Sequence, residues 1–276
     1  LVANKLDKVE DLINLKLESK VNLIQKMTKH HLNSGGKRLR ALLTLGSAKL
    51  AGYDLGDRDI NLASCVELIH SATLLHDDVI DESNLRRGNK TANSIWGNQS
   101  SILTGDYLLS RCFEIMVDDG DLEILKLLSS TSSKIAQGEV LQLQHKGDAD
   151  LLEETYTKII NLKTAALFSA ATKTGACLGK LNIREKEALA SYGKNLGLAF
   201  QIADDALDYF AKEILFGKEV GKDFYEGKTT LPLIIIFQRA NDEERVFLKE
   251  IFKKEKRTED DFSEVLSLIN KYKAVE

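Results

Sequence analysis

The sequence has 276 residues, a formal net charge of −4 and 43% hydrophobic residues. That hydrophobic fraction suffices for a sizeable core, and the small negative charge excludes a general attraction to nucleic acid, so an anion site would have to come from local basic clusters. A membrane span needs roughly 18 apolar residues in a row; we find no such run and no signal-peptide pattern. The sequence favours a cytoplasmic protein, although its first residue is Leu1 rather than Met, which leaves room for an upstream targeting segment.

Helix-forming residues dominate, Pro232 is the single proline, and no Ser/Gly-rich linker divides the chain. Residues 84–89 and 217–227 are predicted loops. A helical period is expected over residues 9–32, 39–50, 59–81, 103–117, 122–144, 152–180 (interrupted near Gly175 and Gly179), 185–210 and 230–239, and in the charged tail from residue 243. The pattern predicts an all-α, single-domain helical bundle over residues 1–276.

The three cysteines, Cys65, Cys112 and Cys177, lie far apart and lack the spacing of metal ligands. Each has an apolar helical context. We therefore expect buried thiols in a reducing compartment.

Two copies of a D-D-x-x-D pattern each follow an apolar stretch of helical character. The first spans Asp77–Asp81 in LLHDDVIDESNLRRG, and the second spans Asp204–Asp208 in QIADDALDYF. Residues four apart lie on nearly the same helix face, so the first and last aspartates of each copy should project together. Such carboxylates repel one another without cations, and Mg²⁺ that bridges carboxylates to substrate phosphates is their commonest partner. If the two helices face each other, they would form a diphosphate site.

Four groups of basic residues suit phosphate binding, and two of them closely follow an acidic motif in sequence. Arginine can bind phosphate through two N–H groups, and lysine acts as a point charge. The inventory fits one diphosphate held through Mg²⁺ and another held by Lys and Arg alone. The groups are Lys37 and Arg40, expected on one helical face after Gly35-Gly36, then Arg86 and Arg87, Lys163, and Lys218, Lys222 and Lys228.

Each feature alone also has a simpler interpretation. A single acidic copy at a helix end is usually a solvated surface, as are a lone Arg86-Arg87 loop and a basic helix start at Lys37. His70 could be a hydrogen-bonded core histidine and Gln201 an interior amide. However, His70 precedes the first acidic copy by two helical turns, and Gln201 precedes the second by three residues. The presence of two acidic copies, both continuing apolar helices, favours the metal-site interpretation.

These motifs together resemble those of the trans (E-type) isoprenyl diphosphate synthases, and among them the long-chain, octaprenyl-like polyprenyl diphosphate synthases. The two acidic segments are similar to the family's aspartate-rich motifs. GGKRLR, GEVLQL, KTAALF and GKDFYEGKTTLP are similar to its other blocks, in order from about Gly35 to Pro232. The resemblance implies an isoprenoid-synthase-type bundle around a deep central cavity, in a homodimer. It also implies Mg²⁺-dependent head-to-tail condensation of isopentenyl diphosphate with an allylic diphosphate, such as farnesyl or geranylgeranyl diphosphate.

The resemblance implies a role for each matching position. Metal ligands for three Mg²⁺ ions, with substrate bound, would be Asp77, Asp81, Asp204 and Asp208, supported by Asp78 and Asp205. Contacts to the allylic diphosphate would come from Arg86, Lys163, Thr164, Gln201 and Lys218, and contacts to isopentenyl diphosphate from Lys37, Arg40, His70 and Arg87. The catalytic set would be Asp77, Asp81, Lys163, Asp204 and Arg86, which stabilise the departing diphosphate.

The sequence departs from the family pattern at two places. Ala41 stands where the family commonly has proline, which we expect to cost only rigidity at the helix start. Relatives usually continue beyond the helix near residues 264–271 with a further helix that helps to cover the site, and the sequence stops at Glu276. We expect that closing helix either to be missing or to lie beyond this sequence.

Product length should depend on residues below the first acidic motif. Thr73 lies one turn below Asp77, Ala72 lies beside Thr73, and Ile69 lies two turns down. Short-chain relatives carry aromatic residues at the positions matching Ala72 or Thr73. Small residues here predict an open tunnel and a long all-trans product of about C35 to C50, best matched by octaprenyl diphosphate for quinone side chains. The tunnel floor is left open between Leu108, Phe113 and Leu128.

Three other functions compete with this interpretation. A terpene cyclase usually replaces the second acidic motif with an Asn/Ser/Glu metal triad and needs no second diphosphate site. A head-to-head synthase of the squalene type would show differently spaced acids. A noncatalytic partner subunit would generally lose one or both motifs, and both are intact here.

Overall fold

The computed structural model describes residues 2–33, 35–209 and 220–276, and helices dominate them. The helices are α1 (Ala3–Lys16), α2 (Asn22–Asn33), α3 (Leu39–Leu50), α4 (Arg58–Ile80), α5 (Ala92–Trp96), α6 (Asn98–Asp119), α7 (Leu122–Gln144), α8 (Glu153–Ile160), a π-helix (Asn161–Ala165), α9 (Ala166–Leu178), α10 (Ile183–Leu207), α11 (Lys222–Glu226), α12 (Leu231–Arg239), α13 (Asp242–Lys253) and α14 (Glu259–Lys271). The predicted all-α class is confirmed, and α3, α4, α7 and α12 match their predicted bounds to within one residue.

The predicted helix over residues 9–32 is wrong as a single element, because the chain leaves the helix between α1 and α2. Ser19 lies in that break, and its hydroxyl accepts a hydrogen bond from the backbone N–H of Val21 at 3.1 Å. Such a local side-chain bond offers the backbone an alternative to the helical ladder.

The predicted loop at 84–89 is also incomplete, because it contains a two-stranded antiparallel hairpin of β1 (Leu85–Arg86) and β2 (Asn89–Lys90). The two central residues of the turn, Arg87 and Gly88, have φ of 52° and 77°. Two positive φ values in succession define the tight turn whose twist suits a hairpin, and glycine adopts the second without strain.

The expected interruption near Gly175 is wrong, since α9 continues through it and ends at Leu178. A Cβ on Gly175 would lie 2.5 Å from the backbone nitrogen of Ala48 on α3. This glycine therefore serves the close approach of two helices rather than the end of one.

Backbone contacts divide the chain into two compact units. The first comprises Leu1–Ser133 and Ala165–Gly197. Its helix α4 packs against α1, α3, α6 and α9, which explains a sequence that is apolar on most sides. Leu62, Leu68 and Leu75 on α4 are completely buried, and each contributes about 1.5–3 kcal/mol relative to an exposed side chain.

The second unit comprises Lys134–Thr164 and Leu198–Glu276. Its main core includes Phe224, Leu233, Leu248 and Val265, contributed by α11 to α14. Helices α13 and α14 both begin with a capping box, in which the residue before the helix and an acid three residues later satisfy each other's backbone N–H groups.

The three cysteines are buried free thiols, as predicted. Among the described helices, none combines the length and apolarity that a membrane span requires.

Candidate active site

The first acidic motif forms the C-terminal end of α4. The backbone N–H of Asp81 donates to the carbonyl of Asp77 at 2.8 Å, so these two residues lie one helical turn apart, as the spacing predicts. Both are half-buried, whereas Asp78 between them is 2% exposed. The motif thus separates into two outer carboxylates with accessible surface and one carboxylate inside the protein.

The buried carboxylate of Asp78 fixes an arginine. Arg86 donates to Asp78 Oδ1 from Nε at 2.9 Å and approaches it with Nη2 at 2.8 Å. Asn93 donates to the Asp78 carbonyl at 3.1 Å. A guanidinium paired in this way keeps further N–H donors for another anion, so Asp78 orients Arg86 without consuming it.

The second acidic motif ends α10 in the same manner. The backbone N–H of Asp208 donates to the carbonyl of Asp204 at 3.1 Å, and both residues are half-buried. Asp205 is 4% exposed. Its carboxylate accepts hydrogen bonds from Tyr156 Oη at 2.6 Å and from Gln201 Nε2 at 2.7 Å. As in the first motif, the carboxylate of the inner aspartate is bonded to other side chains of the protein.

Burial raises the pKa of Asp205 to about 7, and the negative charge of Asp223 adds to this effect. The hydrogen bonds from Tyr156 and Gln201 favour the charged form and oppose the shift. The negative charge of Asp205 is therefore stabilised mainly by the hydrogen bonds that Tyr156 and Gln201 donate.

Gln201 and Thr164, both expected at the allylic diphosphate, bond to each other. The Thr164 hydroxyl donates to Gln201 Oε1 at 2.7 Å, while Gln201 Nε2 donates to Asp205. The single hydroxyl proton of Thr164 is thus engaged, and Gln201 keeps one N–H of its amide for a ligand. This arrangement limits how Thr164 can act on a diphosphate, which carries acceptors only.

Asp208 has an additional role at the start of α11. Its Oδ2 accepts the backbone N–H of Asp223 at 2.9 Å, and its carbonyl accepts the N–H of Gly221 at 2.8 Å. One carboxylate oxygen is therefore already used for backbone bonding.

The position of both motifs at helix C-termini has an electrostatic consequence. The helix dipole places partial negative charge there, so carboxylates at these ends are destabilised unless cations offset them. No cluster of three or more metal-ligating side chains occurs among residues 2–33, 35–209 and 220–276. The donor set of each motif, carboxylate oxygens with accessible surface on the outer aspartates, nevertheless fits a hard divalent cation that completes its coordination with substrate or water oxygens.

The first unit also contains a cluster of positive charge. Arg40 is packed inside the protein with its guanidinium carbon 4.6 Å from the centre of the Phe168 ring, and its Nε is buried without a hydrogen-bond partner. Burial lowers the pKa of Arg40 to about 10, with Glu67 opposing the shift. An unpaired N–H on a buried cation is costly, which makes Arg40 a good donor for an anion.

Lys37 and Arg40 do not share a helical face, so that prediction is wrong. Arg38 has a left-handed backbone (φ 45°), and α3 begins only at Leu39. The Arg38 guanidinium reaches Glu10 at 3.2 Å and Glu67 at 3.9 Å, while Lys37 is exposed.

Ala41 has a more specific role than the sequence predicts for the start of α3. Its backbone N–H donates to Glu67 Oε1 at 2.9 Å. Proline has no N–H, so alanine here supplies a donor to a carboxylate that is 3% exposed.

Arg87 packs on the Gly35-Gly36 loop. It donates to the carbonyl of Gly35 through Nη1, and a Cβ on Gly36 would lie 3.1 Å from that nitrogen. Burial lowers the pKa of Arg87, and the neighbouring charges of Arg86 and Arg38 add to the effect.

Two histidines belong to the same cluster. Burial lowers the pKa of His70 well below its usual value, and the charges of Arg40, His31 and Arg86 lower it further. Burial also lowers the pKa of His31 to about 3, with Arg86 and Arg38 contributing. Both are neutral near pH 7. The sequence pattern assigned no role to His31 or Arg38; the only signal was position, since Arg38 lies within GGKRLR and His31 lies four residues before it.

The remaining predicted residues fall into three groups. Lys163 lies in the π-helix and pairs with Glu139 at 2.8 Å. Lys218 lies outside the described residues. Of the chain-length residues, Ala72 and Ile69 are buried, and Thr73 is half-buried with its hydroxyl donating to the His70 carbonyl at 2.8 Å.

Replacing Tyr156 with phenylalanine should destabilise the protein by about 1–3 kcal/mol, because the buried Asp205 loses a donor. The hydrogen bond lowers the pKa of Asp205, so the loss should be larger above pH 7, where the carboxylate is charged, than below it. Urea denaturation in EDTA at both pH values measures this. Tyr192→Phe, on an exposed part of α10, is the matched control and should change stability by less than about 0.5 kcal/mol. Equal stability of the two variants would contradict the prediction.

The chain is similar to known proteins in sequence and in fold. The model of the polyprenyl synthetase family matches residues 21–269. Octaprenyl diphosphate synthase of Escherichia coli (strain K12) is 41% identical over 249 residues, which cover 90% of this chain and 77% of that protein. The crystal structure of a decaprenyl diphosphate synthase from Rhodobacter capsulatus has a TM-score of 0.94 at 43% identity, covering 99% of this chain and 84% of that one.

A second similar crystal structure is that of a polyprenyl synthase from Caulobacter crescentus CB15, complexed with calcium and isoprenyl diphosphate. Its TM-score is 0.95 at 44% identity, and the match covers 99% of this chain and 83% of the Caulobacter chain. The chain belongs to the polyprenyl synthetase family, and it is a prenyltransferase with the isoprenoid-synthase fold. Enzymes of this family use a divalent metal.

Proposed function

We propose that this prenyltransferase catalyses Mg²⁺-dependent, head-to-tail condensation of isopentenyl diphosphate with an allylic diphosphate, giving a long all-trans polyprenyl diphosphate. The best expectation is an octaprenyl product for quinone side chains, made in the cytoplasm. The observation that carries the proposal is the pairing of outer aspartates, one helical turn apart, at the negative ends of both α4 and α10.

In this proposal Asp77 and Asp81 at the end of α4, and Asp204 and Asp208 at the end of α10, would hold three Mg²⁺ ions when substrate is present. Bound Mg²⁺ would supply electrostatic stabilisation of the negative charge on the leaving diphosphate. The inner aspartates position other side chains of the protein: Asp78 orients Arg86, and Asp205 anchors Gln201.

Basic side chains of the protein bind the two diphosphate substrates in this proposal. Arg86 and Lys163 bind the allylic diphosphate and stabilise the charge that develops as its carbon–oxygen bond breaks. Lys218 would contribute in the same way. Arg40, Arg87, Lys37 and His70 hold isopentenyl diphosphate, whose double bond then forms the new carbon–carbon bond. The unpaired Arg40 Nε supports this assignment.

The proton released after carbon–carbon bond formation goes to the departing diphosphate in this scheme. His70 is a poor alternative base, since burial and neighbouring arginines lower its pKa well below its usual value. Apolar walls would exclude the water that could otherwise quench the allylic cation.

A homodimer is part of the proposal. Helix α6 exposes Leu103, Phe113 and Val117 to 67, 49 and 65%. Exposed apolar side chains on one helix are typical of a protein interface, and a second copy of the chain is the expected partner. Light scattering of the purified protein would test this, and a monomer at working concentration would contradict it.

The function is tested by incubating the purified protein with farnesyl diphosphate, labelled isopentenyl diphosphate and Mg²⁺, then sizing the extracted product by reversed-phase chromatography. We expect a ladder ending near eight isoprene units, and loss of product when EDTA removes the metal, because the leaving diphosphate then loses the stabilisation that Mg²⁺ would supply. A product of three or four units would overturn the long-chain assignment. Product that survives EDTA would overturn the metal assignment.

A further inference from the structure

The ammonium of Lys163 is held by two side chains of helix α7. Lys163 Nζ lies 2.8 Å from Glu139 Oε2 and 2.9 Å from Gln142 Oε1. The two acceptors are three residues apart, so they share one helix face. An ammonium has three N–H donors. Two are used by Glu139 and Gln142, and one remains.

The backbone is built to bring these groups together. Lys163 lies in the π-helical turn Asn161–Ala165, and such turns are frequent at functional sites. A Cβ on Gly138 would lie 2.7 Å from the Lys163 backbone nitrogen and 2.9 Å from Leu162 Cβ. Only glycine permits this close approach, and the approach places Glu139, the next residue, beside Lys163.

The ion pair is poorly solvated. The Glu139 side chain is 14% exposed and that of Lys163 is 21% exposed, and Glu139 Oε1 is buried without a hydrogen-bond partner. A buried carboxylate with an unsatisfied oxygen is unfavourable unless a charge compensates it. The Glu139 carboxylate therefore depends on the positive charge of Lys163. The geometry of the pair is best explained if Glu139 fixes the position of the Lys163 ammonium.

We propose that Glu139, assisted by Gln142, is a positioning residue for prenyl transfer, which fixes Lys163 so that its third N–H is available to the allylic diphosphate. The inference rests on the proposed role of Lys163 in binding that diphosphate. Lysine is a flexible point charge with many rotamers, and two fixed acceptors remove most of that freedom before substrate arrives, which lowers the entropic cost of binding.

The test is steady-state kinetics of Glu139→Ala, Glu139→Gln, Lys163→Ala and the Glu139→Ala/Lys163→Ala double variant. Losing a charge-assisted hydrogen bond should raise KM for the allylic diphosphate about tenfold to a hundredfold in Glu139→Ala. KM for isopentenyl diphosphate should not change. Glu139→Gln should recover most of the loss, since an amide oxygen also accepts from Nζ. In the Lys163→Ala background, Glu139→Ala should add less than about twofold, because it acts only through the lysine.

The outcomes separate the two proposals. Unchanged KM in Lys163→Ala would overturn the role of Lys163 itself. An impaired Lys163→Ala together with an unchanged Glu139→Ala, or with additive effects in the double variant, would overturn the positioning role alone. If Glu139→Ala does not fold, Glu139→Gln and Gln142→Met carry the test, and Gln142→Met should raise the same KM.

A matched control is Glu123→Ala, which removes a carboxylate 2.7 Å from Lys186 in an ion pair whose glutamate is 52% exposed. This control should leave both KM values unchanged. An equal rise of KM in Glu123→Ala would overturn the proposal, since the effect would then be a general one of losing an ion pair.

Discussion

Replacing Asp77 with alanine should lower kcat by roughly a thousandfold or more, equivalent to several kcal/mol of transition-state stabilisation. The reason is positional. Asp77 is an outer, half-buried aspartate at the C-terminus of α4, hydrogen-bonded along the backbone to Asp81. Removing it halves the pair of carboxylates that we expect to hold the metal on this helix. The charge on the departing diphosphate then loses its stabilisation, while the fold keeps the buried Asp78–Arg86 pair.

The measurement is single-turnover and steady-state incorporation of labelled isopentenyl diphosphate over a range of Mg²⁺ concentrations. High Mg²⁺ should recover part of the activity if the defect is metal affinity. Asp118→Ala, an exposed aspartate on α6, is the control and should retain wild-type turnover. A folded Asp77→Ala enzyme within about tenfold of wild type would refute the role of the first motif.

The contrast between Asp77 and Asp78 shows what sequence can and cannot provide. Spacing along a helix is a local property, so the projection of Asp77 and Asp81 from one end of α4 could be predicted. Which aspartate faces the protein depends on partners elsewhere in the chain. Asp205 is held by Tyr156, 49 residues earlier, and no local pattern indicates that pairing.

Local backbone conformation is the second feature that the sequence pattern does not predict. Periodicity located α4 and α7 accurately, because long apolar or amphipathic runs determine a helix. It could not detect that Arg38 adopts a left-handed backbone just before α3, which leaves Lys37 outside the helix that carries Arg40. The π-helical turn at Lys163 was equally invisible, since no local pattern marks it, and so was the close packing of Gly138 against that turn.

Replacing Ala72 with tyrosine should shorten the product, from an expected length near eight isoprene units to a much shorter one. Ala72 lies on the face of α4 that packs against α6. Cys65, seven residues before it, donates to the Cys112 carbonyl at 3.7 Å, and His76, four residues after it, contacts the Ile102 carbonyl at 3.1 Å. Residues at these spacings share a helix face. A large ring at Ala72 would therefore fill space next to α6.

Burial makes this substitution demanding, because Ala72 is completely inside the protein. Overpacking of a dense core costs about 1–3 kcal/mol, so a loss of stability should accompany the change in product. A graded series separates the two effects. Ala72→Val, Ala72→Leu and Ala72→Tyr should shorten the product stepwise if the growing chain passes this residue. Strain alone would lower the yield without altering the length distribution.

The control is Ala171→Leu, at a buried alanine of α9, which should reduce stability while leaving product length unchanged. Product sizes come from reversed-phase chromatography at equal conversion, with unfolding measured on the same samples. An active Ala72→Tyr enzyme that makes a product of unchanged length would refute the route past Ala72. The growing chain would then have to follow another face of α4, and the half-buried Thr73, whose hydroxyl bonds to the His70 carbonyl, would become the next residue to enlarge.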